Sequence, residues 1–249
     1  MRPNHATPTS AEKAPHPKLW GVMPAAGAGT RMELGFPKQY LKIAGKTVIE
    51  HSIEVMLGLD ELAQLTVCLS ADDDRFSALR YDDERLSTTL GGETRAQSVL
   101  NGLIAIESQA EPNDWVLVHD AARPCLQPSM LEHLVVSLRE EETGGILAIP
   151  AKDTLKLAGP SEQNDDQGGP LVIRTLDRSK VWLAQTPQMF RYKVLLSALN
   201  YCIENGLKVT DEASALEQAG YAVKLIAGSA ANIKVTNPED QRLAEFLLS

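Results

Sequence analysis

The chain has 249 residues, 43% apolar and 23% charged, an ordinary globular balance that excludes wholesale disorder and leaves ample material for a core. Its 24 basic and 33 acidic residues give a net charge of −9, which argues against a duplex nucleic acid partner, because phosphate neutralisation calls for excess cations. No run approaches the roughly 18 apolar residues that a membrane helix needs.

The first 18 residues, MRPNHATPTSAEKAPHPK, hold four prolines and no apolar stretch. They predict a disordered tail outside the fold, 1–18, followed by one domain, 19–249. The tail has neither a secretory nor a transit character, so a cytoplasmic protein is expected. Cys68, Cys125 and Cys202 form no CxxC pair, and they read as three reduced thiols rather than a disulfide framework or a zinc site.

From Leu19 onward, short apolar runs alternate with amphipathic ones. LWGVMPAA (19–26) predicts a buried strand ending in a glycine loop, and KTVIEHSIEVMLGL (46–59) a helix. LTVCLS (65–70) is the next strand, 93–110 the next helix, and WVLVHDAARP (115–124) a strand entering a polar loop. A helix over 128–142 begins on a proline, as helices allow, and ILAIP (146–150) is again a strand. This order predicts an α/β fold: a Rossmann-like, mostly parallel sheet with flanking helices. Residues 151–180 break the rhythm. DTLKLA and LVIRTLD around a polar glycine loop predict an inserted β-hairpin arm. Such an arm buries little by itself, so pairing with a second copy, a homodimer, is expected. A hairpin folded back on its own domain is the alternative. Helices follow at 192–205 and from Asp211, then strands at 222–228 and 232–235 (NIKV). A terminal helix starts at Pro238.

The candidate chemistry sits at loops. Gly27-x-Gly29 would let backbone amides approach phosphate. Met32 occupies the third glycine position of a dinucleotide fingerprint, and no Walker-type GK[ST] follows. Two cations, Arg31 and Lys38, lie close by and suit a polyphosphate; a plain turn with solvated cations fits equally well. Gly91-Gly92-Glu93-Thr94-Arg95-Ala96-Gln97-Ser98 opens a helix, with free amides at its positive end. His119-Asp120-Ala121-Ala122-Arg123-Pro124 follows a buried strand, where open α/β sheets bind ligands. Asp120 there could hold Mg²⁺, and His119 reads as structural. Lys234, in an otherwise apolar segment, needs an anionic partner.

PAAGAGTRM, PKQYL, GGETRAQSV, HDAARP, TPQ, TDEASALE and NIKVT occur in this order. From about Val22 to the C-terminus the chain thereby resembles the 2-C-methyl-D-erythritol 4-phosphate cytidylyltransferases. The resemblance implies cytidylyl transfer from CTP to 2-C-methyl-D-erythritol 4-phosphate, with release of pyrophosphate, in the non-mevalonate isoprenoid pathway. It also implies a nucleotidyltransferase fold with a dimerising β-arm, and Mg²⁺ as cofactor. By similarity, Ala25, Ala26 and Gly27 line the CTP site, and Arg31 and Lys38 are catalytic cations on the phosphates. Gly92, Glu93 and Ser98 lie near the cytosine and ribose, with Arg95 supporting their loop. Asp120 sits beside the metal and the acceptor, and Arg123, Thr154, Thr186, Thr210 and Lys234 surround that acceptor. Arg178 reaches the site of the partner subunit. A sister cytidylyltransferase acting on ribitol 5-phosphate shares the glycine loop and the PKQ piece.

Overall fold

The computed structural model describes residues 16–27, 35–159 and 170–249. Arg31, most of the predicted tail and most of the arm loop lie outside these residues. The elements in chain order are β1 (Leu19–Pro24), β2 (Lys42–Ile43), β3 (Lys46–Thr47), α1 (Val48–Leu57), β4 (Leu62–Leu69), β5 (Leu86–Leu90), α2 (Arg95–Ala105) and β6 (Trp115–Val118). They continue with α3 (Pro128–Leu138), β7 (Gly144–Pro150), β8 (Lys156–Ala158), β9 (Val172–Thr175), β10 (Trp182–Arg191), α4 (Tyr192–Glu204), α5 (Glu212–Gln218), β11 (Lys224–Ala227) and α6 (Pro238–Leu248).

Seven strands form the central sheet in the order β11-β7-β10-β6-β1-β4-β5. All of its pairings are parallel except the two made by β10, which runs antiparallel to both β6 and β7. The predicted α/β architecture with a mostly parallel sheet is therefore correct.

Strand residues alternate between the two sheet faces, as a period of two requires. Met23, Leu65, Val67, Trp115, Leu117 and Met189 point to one face, where they meet Ile49, Ile53 and Met56 of α1 and Leu131 and Leu134 of α3. Val22, Cys68, Val116, Val118 and Phe190 point to the other, against Val99 and Leu103 of α2 and Leu195 and Leu199 of α4. Each fully buried aliphatic side chain contributes about 1.5–3 kcal/mol relative to exposure. Helix α2 lies especially close to the sheet: a Cβ on Gly102 would fall 2.5 Å from Val22 Cγ1. A third, smaller cluster joins Ile43, Val48, Cys125, Val235 and Ala244, fastening α6 to the loops at one end of the sheet.

Two strands of the central sheet were not anticipated, nor was the short β2–β3 pair, whose second strand takes Lys46 and Thr47 from the start of the predicted 46–59 helix. β5 is a short edge strand of hydroxyl residues, LSTTL, and β10 carries Gln185, Thr186 and Pro187 in its middle. One predicted strand is absent. NIKV makes no ladder; its backbone is held instead by single bonds, from Val235 N–H to the Ala122 carbonyl at 2.8 Å and from the Lys38 and Arg123 side chains to the Val235 and Asn232 carbonyls. The inserted hairpin is present, with β8 and β9 antiparallel. It extends the β7–β10 pair outward, and Leu171, Val172 and Ile173 are 83%, 58% and 62% exposed on it. The three cysteines are free and buried.

Candidate active site

β1, β4, β5 and β6 run parallel, so their carboxyl ends open along one edge of the sheet, the usual binding crevice of such folds. A cleft of about 450 Å³ lies there. One wall is residues 25–27, immediately after β1. Pro24 closes that strand, and the chain stays tethered by Ala25 N–H to the Cys68 carbonyl at 2.9 Å. Buried Gln39 donates to the Ala25 carbonyl at 2.8 Å. That places Lys38, in the same short turn, on the cleft wall.

The facing wall is residues 92–98. Thr94 caps α2 in a reciprocal box with Gln97, a common device for satisfying free amides at a helix start. Ser98 Oγ accepts from Gly92 N–H at 3.0 Å and donates to the Thr94 carbonyl at 3.0 Å. Its polar capacity therefore goes mainly into shaping the loop. The two walls nearly touch at Gly91, where a Cβ would meet the Ala26 Cβ at 2.5 Å. Glu93 is exposed at the rim.

A second cavity of about 210 Å³ adjoins the first and includes Arg123, Thr186 and Thr210. Arg95, Asp120 and Lys234 line both. Asp120 follows β6, and its carboxylate is gripped from two sides. Arg95 Nε donates to Oδ1 at 2.9 Å, and Lys234 Nζ to Oδ2 at 2.7 Å. Burial alone pushes the Asp120 carboxyl up. The charges of Arg95 and Lys234, with the lysine hydrogen bond, outweigh this and hold it well below the usual carboxylate range. The lysine expected to need an anion has one, and its side chain remains 40% exposed toward the cavities.

Arg95 does more than brace its loop. Its guanidinium forks onto Glu212, Nη1 to Oε1 at 2.6 Å and Nη2 to Oε2 at 3.1 Å. Glu212 stands at the N-terminus of α5, where a negative charge suits the helix dipole. Burial opposes the charge on Arg95, but Glu212 and Asp120 reverse that and raise it far above its ordinary value. Burial pushes the Glu212 carboxyl up against the pull of Arg95. No position in the sequence marked Glu212 as the partner of Arg95. The signal available was an acid at a helix start followed by the apolar Ala213, Ala215 and Leu216.

β10 contributes at its irregularity. Its register with β7 shifts between Ala184 and Gln188, and such bulges re-aim side chains. Thr186 thereby reaches β6: its Oγ1 accepts Asp120 N–H at 3.0 Å and lies 3.0 Å from His119 Nδ1. His119 is fully buried, and burial pushes its imidazole down to about 4. Arg123 Nη1 donates to the Asn232 carbonyl at 2.7 Å, and its Nε lies 3.9 Å from Asp120 Oδ2. Two predicted residues do not join this cluster within the chain. Thr154 is exposed before β8, and exposed Arg178 donates to the Lys152 carbonyl at 2.6 Å. Among the described residues, no helix is long and apolar enough to cross a membrane.

Known proteins resemble this chain over nearly its whole extent. A relative from Pseudomonas putida (strain GB-1), a 2-C-methyl-D-erythritol 4-phosphate cytidylyltransferase, is 48% identical over 226 residues, 90% of this chain and 93% of that one. The same enzyme of Haemophilus influenzae (strain PittGG) is 48% identical over 228 residues, 92% of this chain and 95% of its own. The crystal structure of the Francisella tularensis enzyme superposes with a TM-score of 0.78 at 34% identity, covering 92% of this chain and 99% of that chain. The structure of the Thermus thermophilus enzyme gives 0.72 at 27% identity, with 93% and 98% covered. The family model for 2-C-methyl-D-erythritol 4-phosphate cytidylyltransferase matches residues 19–249, from the first residue of β1 to the end of the chain. Fold and sequence agree, and the chain belongs to that family.

Proposed function

We propose that this chain transfers the cytidylyl group of CTP to 2-C-methyl-D-erythritol 4-phosphate, giving the CDP-alditol and pyrophosphate. The observation that carries the reading is the pair of adjoining cavities with Arg95, Asp120 and Lys234 at their junction. A nucleotide in the larger and a phosphorylated polyol in the smaller would meet there.

A phosphate oxygen of the acceptor attacks the α-phosphorus of CTP, one P–O bond forms, and the bond to the β-phosphate oxygen breaks. The nucleophile is already anionic, so no strong general base is needed. Catalysis then rests on positioning and on stabilising charge. The amides of residues 25–27 and the ammonium of Lys38 would take the triphosphate. Arg31, which lies outside the described residues, would join them as the resemblance implies. Gly92, Glu93 and Ser98 would border the base and ribose. Lys234, Arg123, Thr186 and Thr210 would surround the acceptor, and Arg95 would hold Asp120 in line.

Asp120 would hold Mg²⁺. Each of its oxygens accepts one short hydrogen bond, and a carboxylate oxygen has a second lone pair to give. No set of three or more His, Cys, Asp or Glu able to hold a metal occurs among the described residues. One carboxylate completed by substrate phosphates is a normal Mg²⁺ donor set. When bound, the ion would neutralise charge between the two polyanions.

Thr154 and Arg178 lie outside the cleft of their own chain. In this reading the exposed apolar face of β9 pairs with a second copy, and these residues complete its site. Both substrates are multiply charged and membrane-impermeant, which supports a cytoplasmic setting.

The test is pyrophosphate release from CTP and Mg²⁺, with 2-C-methyl-D-erythritol 4-phosphate and ribitol 5-phosphate in parallel. Release with the first alone is the expected result. Release with ribitol 5-phosphate alone would keep the fold and overturn the acceptor. Silence with both, while CTP still binds, would leave a nucleotide-binding protein without this activity.

A further inference from the structure

His119 contacts neither cavity, yet its two ring nitrogens determine what its neighbours can do. Nε2 lies 3.2 Å from the Arg123 carbonyl oxygen. A carbonyl only accepts, so this nitrogen carries the proton. Nδ1 lies 3.0 Å from Thr186 Oγ1. The ring is fully buried, and neither nitrogen is hydrogen-bonded to a carboxylate, so the neutral form is the one the site supports. Nδ1 is then an acceptor, and the single hydroxyl proton of Thr186 goes to it. The oxygen of that hydroxyl in turn accepts Asp120 N–H at 3.0 Å.

We propose that His119 is a positioning residue, which as the Nε2–H tautomer takes the single Thr186 hydroxyl proton, leaves that oxygen only to accept from its other neighbours, and through it fixes the backbone of Asp120 between Arg95 and Lys234. Thr186 then has no proton to offer a phosphate oxygen. Toward a bound acceptor it presents a lone pair, which suits a hydroxyl of the polyol. The substrate side of this statement rests on the function proposed above; the tautomer does not.

The tautomer is read from long-range ¹H–¹⁵N NMR of the full chain labelled at histidine. The His119 signals are identified by their loss in His119→Asn. A protonated Nε2 with a bare Nδ1 at neutral pH is expected, and a protonated Nδ1 overturns the proposal. Kinetics supply the second arm. His119→Phe lowers kcat/KM for the acceptor about 10- to 100-fold, the usual cost of losing the hydrogen-bond partner behind a site residue. KM for CTP stays near wild type. His119→Asn places an amide oxygen where Nδ1 stood and recovers most of the loss, whereas His119→Gln, which mimics Nε2, does not. No loss in His119→Phe, or equal loss in all three, overturns the positioning role. If the unaltered chain does not turn over this acceptor, the functional reading fails, and the NMR experiment alone decides the His119–Thr186 arrangement.

Discussion

Lys38 donates through Nζ to the carbonyl of Val235 at 2.8 Å, across 197 positions of sequence. Val235 N–H binds the Ala122 carbonyl, and its side chain is fully buried in the small cluster under α6. One anchored residue therefore sets the spacing between Lys38 and its own neighbour Lys234. The two lysines of the cleft are held by the same strap.

Lys38→Ala should remove a cation that acts on charge developing in the transition state. Losing one such donor costs about 100- to 1,000-fold in kcat. Steady-state pyrophosphate release at saturating CTP measures it. A raised KM for CTP with unchanged kcat would show that Lys38 serves binding alone.

Gly91→Ala should disturb the nucleotide side specifically. The new methyl would meet the Ala26 Cβ at 2.5 Å and the Ser98 Oγ at 2.9 Å, so the two cleft walls must part. A weaker Kd for CTP by calorimetry is expected, with acceptor kinetics altered less. Unchanged CTP affinity would mean that the walls separate without consequence.

Glu212→Ala leaves Arg95 with only Asp120 to balance it. Removing one member of a buried pair costs about 3–5 kcal/mol, and the remaining Asp120 contact places this variant toward the lower value. Urea unfolding gives the figure directly. A loss under about 1 kcal/mol would mean that solvent takes over the role of Glu212.

Acid stability should carry the mark of His119. The unfolded ring takes a proton near pH 6.5, while the native ring refuses it until about 4. The unfolded state therefore binds more protons in that window, and stability falls as pH drops through it, with no contribution above it. His119→Asn should flatten the dependence of unfolding free energy on pH between about 6.5 and 4. An unchanged slope would assign it to other groups.

The arm gives a prediction about assembly. Ile173→Glu places a charge in the exposed apolar face of β9 and should yield a monomer by sedimentation while the central sheet stays folded. In the same proposal Arg178→Ala weakens use of the acceptor without changing oligomeric state. A wild-type chain that sediments as a monomer would refute the arm pairing.

Much of this was legible from residue types. Buried runs such as LWGVMP and WVLV, short and ending in glycine or polar loops, read as strands inside a sheet. Lys38 stood out as a cation near the glycine loop, Asp120 as an acid at the end of a buried strand, and Lys234 as a charge in an apolar segment that needs a partner. What escaped was long-range or irregular. β10 hides because Gln185, Thr186 and Pro187 interrupt its pattern, and only the bulge makes room for them. β5 hides because an edge strand needs little apolar content. NIKV misled in the opposite direction: Ile233 and Val235 alternate like a strand, but they fill a small cluster rather than a sheet. The Arg95–Glu212 pair joins two helix N-termini separated by 117 positions, which no local pattern announces.

The place of β10 in the sheet has a consequence for biosynthesis. β6 and β7 are both made well before the strand that fills the gap between them. Until Trp182–Arg191 emerges, β6 keeps one open edge of unpaired amides and carbonyls and β7 two, since its other neighbour β11 comes later still, and such edges are a template for pairing with the wrong chain. A nascent chain stalled before Trp182 should therefore be aggregation-prone, and one released after Arg191 much less so. The same late strand delivers Thr186, so the small cavity takes shape only when the sheet closes.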